Sequence, residues 1–180
     1  IRMNGVDLIL KVHELGCAHG IGRIDHMEDR IVGLKSREVY ECPAASILLK
    51  AHKDLEKFVC TRHENTFKKF VDEQWTNLVY TGLWVEPLRE DLEAFIDRVN
   101  KKVTGIVRVK LYKGNATVVG RSSDYALYDE NLATYDRKST FNQLASFGFI
   151  ELWGLQSRMA QALKPEDKKV HRKNEVVKST

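Results

Sequence analysis

Cysteine and proline are scarce in this sequence, which has three of each among its 180 residues. The cysteines, Cys17, Cys42 and Cys60, are odd in number and far apart, which argues against a disulfide framework and fits a reducing compartment. No Cys-x-x-Cys pair occurs, and the six histidines show neither His-Glu-x-x-His nor another metal spacing. We therefore expect no metal site in this chain.

Long hydrophobic runs are also missing. No stretch approaches the ~18 apolar residues of a membrane-spanning helix, and no secretory signal is visible. The composition, 43% hydrophobic and 30% charged, is typical of a soluble globular protein. We expect a cytoplasmic domain without a membrane partner. The first residue, Ile1, suggests a fragment of a longer protein or a start further upstream.

The small positive charge is concentrated at the end of the chain. Residues 164–180 carry six basic and three acidic residues, a net +3 out of +4 for the whole chain. The sequence therefore predicts a body at residues 1–163 and a basic, flexible tail at 164–180. Because nucleic-acid-binding domains place a basic face on the folded body, we expect no nucleic-acid partner. The alternative, binding through the tail, predicts a salt-dependent affinity that deletion of residues 165–180 abolishes.

Apolar residues recur at helical spacing in four parts of the first hundred residues. Asn4 provides a capping signal for a helix that Gly16 can close. Pro43 suits the first turn of a second helix, residues 64–80 form a third, and Pro87 opens a fourth. We expect the apolar stripes of the last three helices to pack into the core. The stripe of the third comprises Phe67, Phe70, Val71, Trp75, Leu78 and Val79.

Alternating residues after position 100 predict a hairpin. Residues 103–111 form one strand, 113–115 a turn and 116–121 the returning strand. Further along we expect extended pieces at 125–128 and 132–135, a short helix at 141–146, and a final amphipathic helix marked by Leu152, Leu155, Met159 and Leu163. Helices and strands in this order predict an α+β fold with a mainly antiparallel sheet and several packed helices.

Residues 24–40 contain the polar side chains that are the best candidates for a binding site. Ile24, His26, Glu28, Arg30 and Val32 would share one face of a strand, and its polar centre predicts a cleft rather than a packed interior. A carboxylate such as Glu28 can hold an ammonium or a urea-like N–H group, because it accepts several hydrogen bonds. Tyr40 adds a ring and a hydroxyl. The alternative is that Glu28 forms an ordinary surface ion pair with Arg30 or Arg23.

The HGIGR segment, residues 19–23, could contact a phosphate, but it has neither of the known glycine-rich phosphate-binding spacings. Gly20 and Gly22 more simply permit a tight turn from helix to strand. No Gly-x-Ser-x-Gly elbow occurs and no cysteine is placed as a nucleophile, so we predict no catalytic residue in this chain.

Several segments resemble the C-terminal domain of argininosuccinate synthases, in the family's order and over nearly the whole chain except the tail. They are HGIGRIDHMEDR at 19–30, GLKSREVYECPAASILLKAH at 33–52, LVYTGLW at 78–84, VTGIVRVKLYKGN at 103–115, VVGRSS at 118–123, ALYDENL at 126–132 and GFIELWGL at 148–155. The match departs from the family pattern at Asp29, where asparagine is usual, and at Cys42, where threonine or alanine is usual.

The resemblance implies an ATP-dependent ligase that joins L-citrulline to L-aspartate and releases AMP and pyrophosphate. Glu28 and Tyr40 match the family's citrulline-holding glutamate and tyrosine. ATP, with Mg²⁺, would be bound mainly by an N-terminal domain that this chain lacks, so we expect the fragment to be inactive alone. The family also implies a homotetramer with a C-terminal oligomerisation helix. The alternative is a non-catalytic oligomerisation module with the same fold.

Overall fold

The computed structural model describes residues 1–133, 140 and 142–164. Two units compose the chain, Ile1–Tyr128 and Asp129–Thr180. The elements of the first unit are α1 (Gly5–Ala18), β1 (Arg23–Asp29), β2 (Lys35–Glu41), α2 (Pro43–Val59), α3 (Arg62–Tyr80), α4 (Pro87–Asn100), β3 (Ile106–Tyr112) and β4 (Asn115–Ser122). Those described in the second are α5 (Glu130–Ala133), α6 (Ala145–Trp153) and α7 (Leu155–Ala162).

The α+β class is confirmed. Strands β1 and β2 form one antiparallel pair, which we call hairpin 1, and β3 and β4 form a second, hairpin 2. The strands described thus form two separate two-stranded sheets instead of one larger sheet. Two-stranded sheets are marginally stable on their own, so the helices must supply most of the apolar cover.

Hairpin 2 follows the sequence pattern closely. Its inner residues alternate with exposed ones along β3, and Lys113 and Gly114 both have positive φ, 43° and 78°, as a tight two-residue turn requires. Val119 is the extra residue of a bulge, because Arg108 pairs with Gly120 whereas Val109 pairs with Val118.

The core of the first unit consists of two small apolar clusters. One contains the buried residues Leu55, Val59, Cys60 and Val99, and joins α2 to α4. The other contains Ile21, Ile47 and Ala116, and joins α2 to hairpin 2 and the loop after α1. Helix α2 therefore lies at the centre of the unit, and just before it the Cys42 N–H donates to the Gly22 carbonyl at 2.9 Å, which joins the two ends of hairpin 1.

Helix α1 begins as predicted, since the Asn4 side chain accepts a hydrogen bond of 2.9 Å from the backbone N–H of Asp7. The expectation that Gly16 closes it was wrong. The helix continues to Ala18, and Gly16 is buried where a Cβ atom would lie 2.5 Å from the Cβ of Pro43. This glycine permits close packing of α1 on α2.

Only part of the apolar stripe of α3 is buried in the core. Val71 is buried at 2% exposure, but Phe67 and Phe70 are exposed at 55% and 56%. The Phe67 ring meets Phe95 of α4 edge-on, with centroids 5.3 Å apart. One side of this stripe therefore packs against α4, while the other lies at the surface.

Several expectations for the end of the chain need correction. Residues 125–128 form no strand, residues 130–133 are a helical turn, and the helix expected at 141–146 begins at Ala145. The final helix is interrupted at Gly154, which separates α6 from α7. Of the extended piece expected at 132–135, the first two residues belong to the helical turn at 130–133, and residues 134–135 lie outside the described residues, as does the tail beyond Lys164. Among the described helices, none combines the length and apolar character that a bilayer crossing demands.

The loop after α1 contains a matched pair of glycines. Gly20 and Gly22 have φ of 67° and 80°, and a Cβ atom would meet open space at Gly20 but would lie 2.5 Å from the backbone nitrogen of Pro43 at Gly22. We expect Gly22→Ala to lower the free energy of unfolding by about 3 kcal/mol, because it adds a clash to the left-handed strain. Gly20→Ala should cost about 1 kcal/mol. Equal losses in urea unfolding of the two variants would refute this.

Candidate functional site

Hairpin 1 has two chemically different faces. Its register pairs Ile24 with Tyr40, His26 with Glu38 and Glu28 with Ser36, so these six residues share one face. We call this the site face. The predicted strand over residues 24–32 ends at Asp29, and Arg30 is the first residue of the connection to β2.

The opposite face is held by ion pairs. Asp25 accepts two hydrogen bonds from Arg37, at 2.9 and 2.5 Å, and Asp29 lies 2.6 Å from Lys35 Nζ. Arg23 pairs with Glu41 at 3.4 Å. Asp29, the departure from the family pattern, therefore lies away from Glu28, as the strand alternation predicted.

The Glu28 carboxylate is at the centre of the site face, and its side chain is only 11% exposed. The Tyr40 hydroxyl donates to Oε2 of Glu28 at 2.7 Å. A second hydroxyl, that of Tyr80 at the end of α3, donates to Oε1. The oxygen of the same Tyr80 hydroxyl also lies 3.3 Å from the carbonyl oxygen of Asp29. Each carboxylate oxygen therefore has its own tyrosine donor.

Arg30 borders this group with positive charge. Its Nε donates to Ser36 Oγ at 2.9 Å, one terminal nitrogen lies 3.4 Å from Glu28 Oε1, and the other pairs with Glu38. The alternative of a surface ion pair is thus partly correct: Glu28 does contact Arg30, whereas Arg23 pairs elsewhere. Because Glu28 is largely covered and has two further donors, it is not an ordinary surface partner.

The hydrogen bonds set the protonation state of the site face. Donation by Tyr80 and then Tyr40 holds the pKa of Glu28 below its usual range. The same hydrogen bonds to Glu28 raise the pKa of Tyr80 and the pKa of Tyr40. The site therefore presents a carboxylate flanked by two neutral hydroxyls at neutral pH.

His26 completes the site face on the Tyr40 side. Its ring lies 5.6 Å from the Tyr40 ring, tilted by 54°, and its Nε2 is 3.8 Å from Glu28 Oε2. A cation or an N–H group approaching Glu28 would pass these two rings. The face can accept hydrogen bonds through Glu28 and donate or accept them through its hydroxyls.

The HGIGR segment forms the predicted turn. The backbone N–H groups of His19, Gly20 and Ile21 donate to carbonyls at the end of α1, at 3.2, 2.9 and 2.9 Å. The Gly22 carbonyl accepts from the N–H of Cys42, also at 2.9 Å. These three N–H groups are committed to the end of α1, so the segment does not present them to a phosphate.

A groove of ≈ 970 Å³ lies between α2 and α3 and ends at Tyr80. Part of its lining is an ionic cluster centred on the buried Lys68. Lys68, 8% exposed, lies 2.8 Å from both Glu56 and Asp72, and His52 lies 3.1 Å from the same Glu56 oxygen. His52 lies half-exposed on α2. The described residues show no group of three or more side chains arranged to hold a metal ion.

Comparison with known proteins shows the family of the chain. The family model of the arginosuccinate synthase C-terminal domain matches residues 1–160. An argininosuccinate synthase of Pyrococcus furiosus is 59% identical over 159 residues, which is 88% of this chain and 39% of that protein. One of Bacillus subtilis is 51% identical over 161 residues, 89% of this chain and 40% of that protein. One of Chlorobium chlorochromatii is 51% identical over 154 residues, 86% and 39% respectively.

The fold and the site face define an α+β domain that displays a covered carboxylate on a short hairpin. The match over residues 1–160 makes it more specific: the chain belongs to the argininosuccinate synthase C-terminal domain family. It spans about two-fifths of the length of the curated relatives it matches.

Proposed function

We propose that this chain is the substrate-binding part of an ATP-dependent ligase that condenses L-citrulline with L-aspartate to argininosuccinate, releasing AMP and pyrophosphate. The relatives named above are argininosuccinate synthases, and their names support this reaction class. Residues 1–163 would form the domain, and 164–180 its basic tail. The observation that carries the proposal is the covered Glu28 carboxylate with its two tyrosine donors.

Glu28 and Tyr40 bind citrulline in this proposal. Of the roughly four acceptor positions on a carboxylate, two are occupied by tyrosine hydroxyls, which leaves at least one for a substrate ammonium or ureido N–H. Holding the substrate in a fixed orientation favours attack by the ureido oxygen on ATP, and then by the aspartate amine on the activated carbon. Both residues act by positioning, and neither exchanges a proton in the reaction.

ATP and its Mg²⁺ would be bound outside this chain. The described residues gather no set of acidic side chains suited to an ion, and the turn at residues 19–23 uses three of its N–H groups internally. Following the family resemblance, we assign nucleotide binding mainly, and aspartate binding, to the three-fifths of the relatives' length that this chain does not cover. The chain alone is expected to be inactive.

Pyrophosphate release by the full-length protein tests the reaction. With ATP, citrulline and aspartate present, omission of citrulline should abolish release. Release that is independent of citrulline would contradict the proposal. A folded full-length protein with no release under any condition would favour a non-catalytic assembly module.

We also propose a homotetramer that uses α6 and α7. Leu152, Leu155 and Met159 are exposed at 73%, 48% and 59%, and a stripe of this kind is covered in an oligomer. Light scattering of the full-length protein should give four times the monomer mass.

Leu155→Asp should lower that mass, because it places a charge in the apolar stripe. Gln156→Asp, at the neighbouring position outside the stripe, should leave the mass unchanged.

A further inference from the structure

We propose that Tyr80 is a positioning residue for citrulline, which fixes the Glu28 carboxylate from the end of α3. This inference rests on the proposed function and adds a residue that lies far from Glu28 in the sequence. The juxtaposition is direct, because the Tyr80 hydroxyl donates to Glu28 Oε1 and its oxygen lies 3.3 Å from the carbonyl oxygen of Asp29.

Hairpin 1 needs such a contact. A two-stranded sheet twists easily, and its end carries the carboxylate that must be oriented. Within the described part of the chain, the bonds from Tyr80 are the only hydrogen bonds between α3 and hairpin 1. They hold the side chain of Glu28 and its backbone neighbour together, so they restrain both the rotamer and the strand.

Helix α3 is a firm base for this contact. It has 19 residues and begins with a capping box, in which Thr61 and Glu64 satisfy each other's backbone N–H groups at 3.2 and 2.8 Å. Its middle is fixed by the buried Lys68, and its flank packs on α4. A tyrosine on its last turn therefore reaches the site face from a fixed point.

Tyr40 and Tyr80 hydrogen-bond to different oxygens of the Glu28 carboxylate. Tyr40 donates to Oε2 from within the hairpin, and Tyr80 donates to Oε1 from outside it. The Tyr80 bond therefore links the Glu28 carboxylate on hairpin 1 to the end of α3. Without it, Oε1 would keep only the 3.4 Å contact with Arg30, which is longer than a normal hydrogen bond to a carboxylate.

The test is steady-state pyrophosphate release by the full-length protein carrying Tyr80→Phe. We expect the KM for citrulline to rise about tenfold, since a hydrogen bond to a charged group is lost. The kcat and the KM for ATP should change less than about twofold, because the residue acts on one substrate. Tyr112→Phe is the matched control, since Tyr112 is an exposed tyrosine on β3, outside hairpin 1, with the Lys110 and Lys113 ammonium groups 5.9 and 5.3 Å from its ring centre.

A pH profile separates positioning from a general loss of folding. Charged and titratable groups surround Glu28 from three elements. They are His26 on β1 and Arg30 just after it, Glu38 and Tyr40 on β2, and Tyr80 on α3. Loss of the Tyr80 donor raises the pKa of Glu28, so the acid limb of kcat/KM for citrulline should move to higher pH. Partial unfolding would instead lower kcat and leave both KM and the acid limb in place.

The outcomes are distinct. If the wild-type protein releases no pyrophosphate in response to citrulline, the proposed function and this inference both fail. If the wild type is active and Glu28→Gln raises the citrulline KM, but Tyr80→Phe behaves like Tyr112→Phe, only the role of Tyr80 is refuted. A kcat loss in Tyr80→Phe with unchanged KM and acid limb refutes it as well.

Discussion

Glu28→Gln in the full-length protein is expected to raise the KM for citrulline about 100-fold. The substitution removes the negative charge that would hold the substrate nitrogen, and a charge-assisted hydrogen bond is worth about 3 kcal/mol at most, or about two factors of ten. It also places an amide N–H₂ against one of the two tyrosine hydroxyls that donate to the carboxylate. Pyrophosphate release at varied citrulline measures the effect.

Glu41→Gln is the control for this variant. Glu41 lies on the opposite face of the same hairpin and pairs with Arg23 at 3.4 Å, with both side chains about 70% exposed. Its loss should leave the citrulline KM within about twofold, because an exposed pair contributes less than about 1 kcal/mol. Similar changes in both variants would show that the hairpin fold, and not the Glu28 carboxylate, governs binding.

Lys68→Met is expected to lower the free energy of unfolding by about 3 kcal/mol, because it leaves the buried Glu56 carboxylate with His52 in place of two basic partners. Lys68 is 8% exposed and Glu56 is 10% exposed, and their side chains are 2.8 Å apart. Urea unfolding of the 180-residue chain measures the loss. Lys69→Met, at the exposed neighbouring position, should change stability by less than about 0.5 kcal/mol.

The effect of Lys68→Met should depend on pH. Burial raises the pKa of Glu56, but hydrogen bonds from His52 and Lys68 outweigh it and lower the net pKa. A lowered folded-state pKa contributes stability above the unfolded value and loses it as the pH falls through the folded value. The difference between variant and wild type should therefore shrink below about pH 4. The double variant with Glu56→Leu should recover most of the loss.

If the difference in unfolding free energy between Lys68→Met and wild type is the same at every pH, the loss comes from missing packing of the lysine stem and not from the charge of Glu56. In that case the double variant would not recover stability either, because a second core contact would be missing.

The helices of the first unit could be predicted from local signals. Asn4, Pro43 and Pro87 mark helix starts, and each acts through backbone geometry within one turn. Hairpin 2 was predictable for the same reason, since Lys113 and Gly114 specify its turn. Local signals failed after residue 124, where the apolar residues have no single period and a helical interpretation competes with an extended one.

The site face was predictable in part. Glu28 and Tyr40 came from the polar strand face and the family resemblance, and the structure brings them within 2.7 Å. Tyr80 could not be found, because its contact with Glu28 depends on how α3 lies against hairpin 1. The apolar stripe of α3 predicted that this helix packs, but not where its last residue points.

The ion pairs on the face opposite the site face help to fix the register of hairpin 1, and the register decides on which face the Glu28 carboxylate lies. Successive residues of a strand alternate between faces, so a slip of one residue would turn Glu28 away from Tyr40 and Tyr80. In one such slip Asp25, now bonded to Arg37, would lie opposite Glu38. The same slip would separate Asp29 from Lys35 and Arg23 from Glu41. The ion pairs of the opposite face therefore favour the observed register, and under the proposed function they keep the Glu28 carboxylate on the face that would meet the substrate.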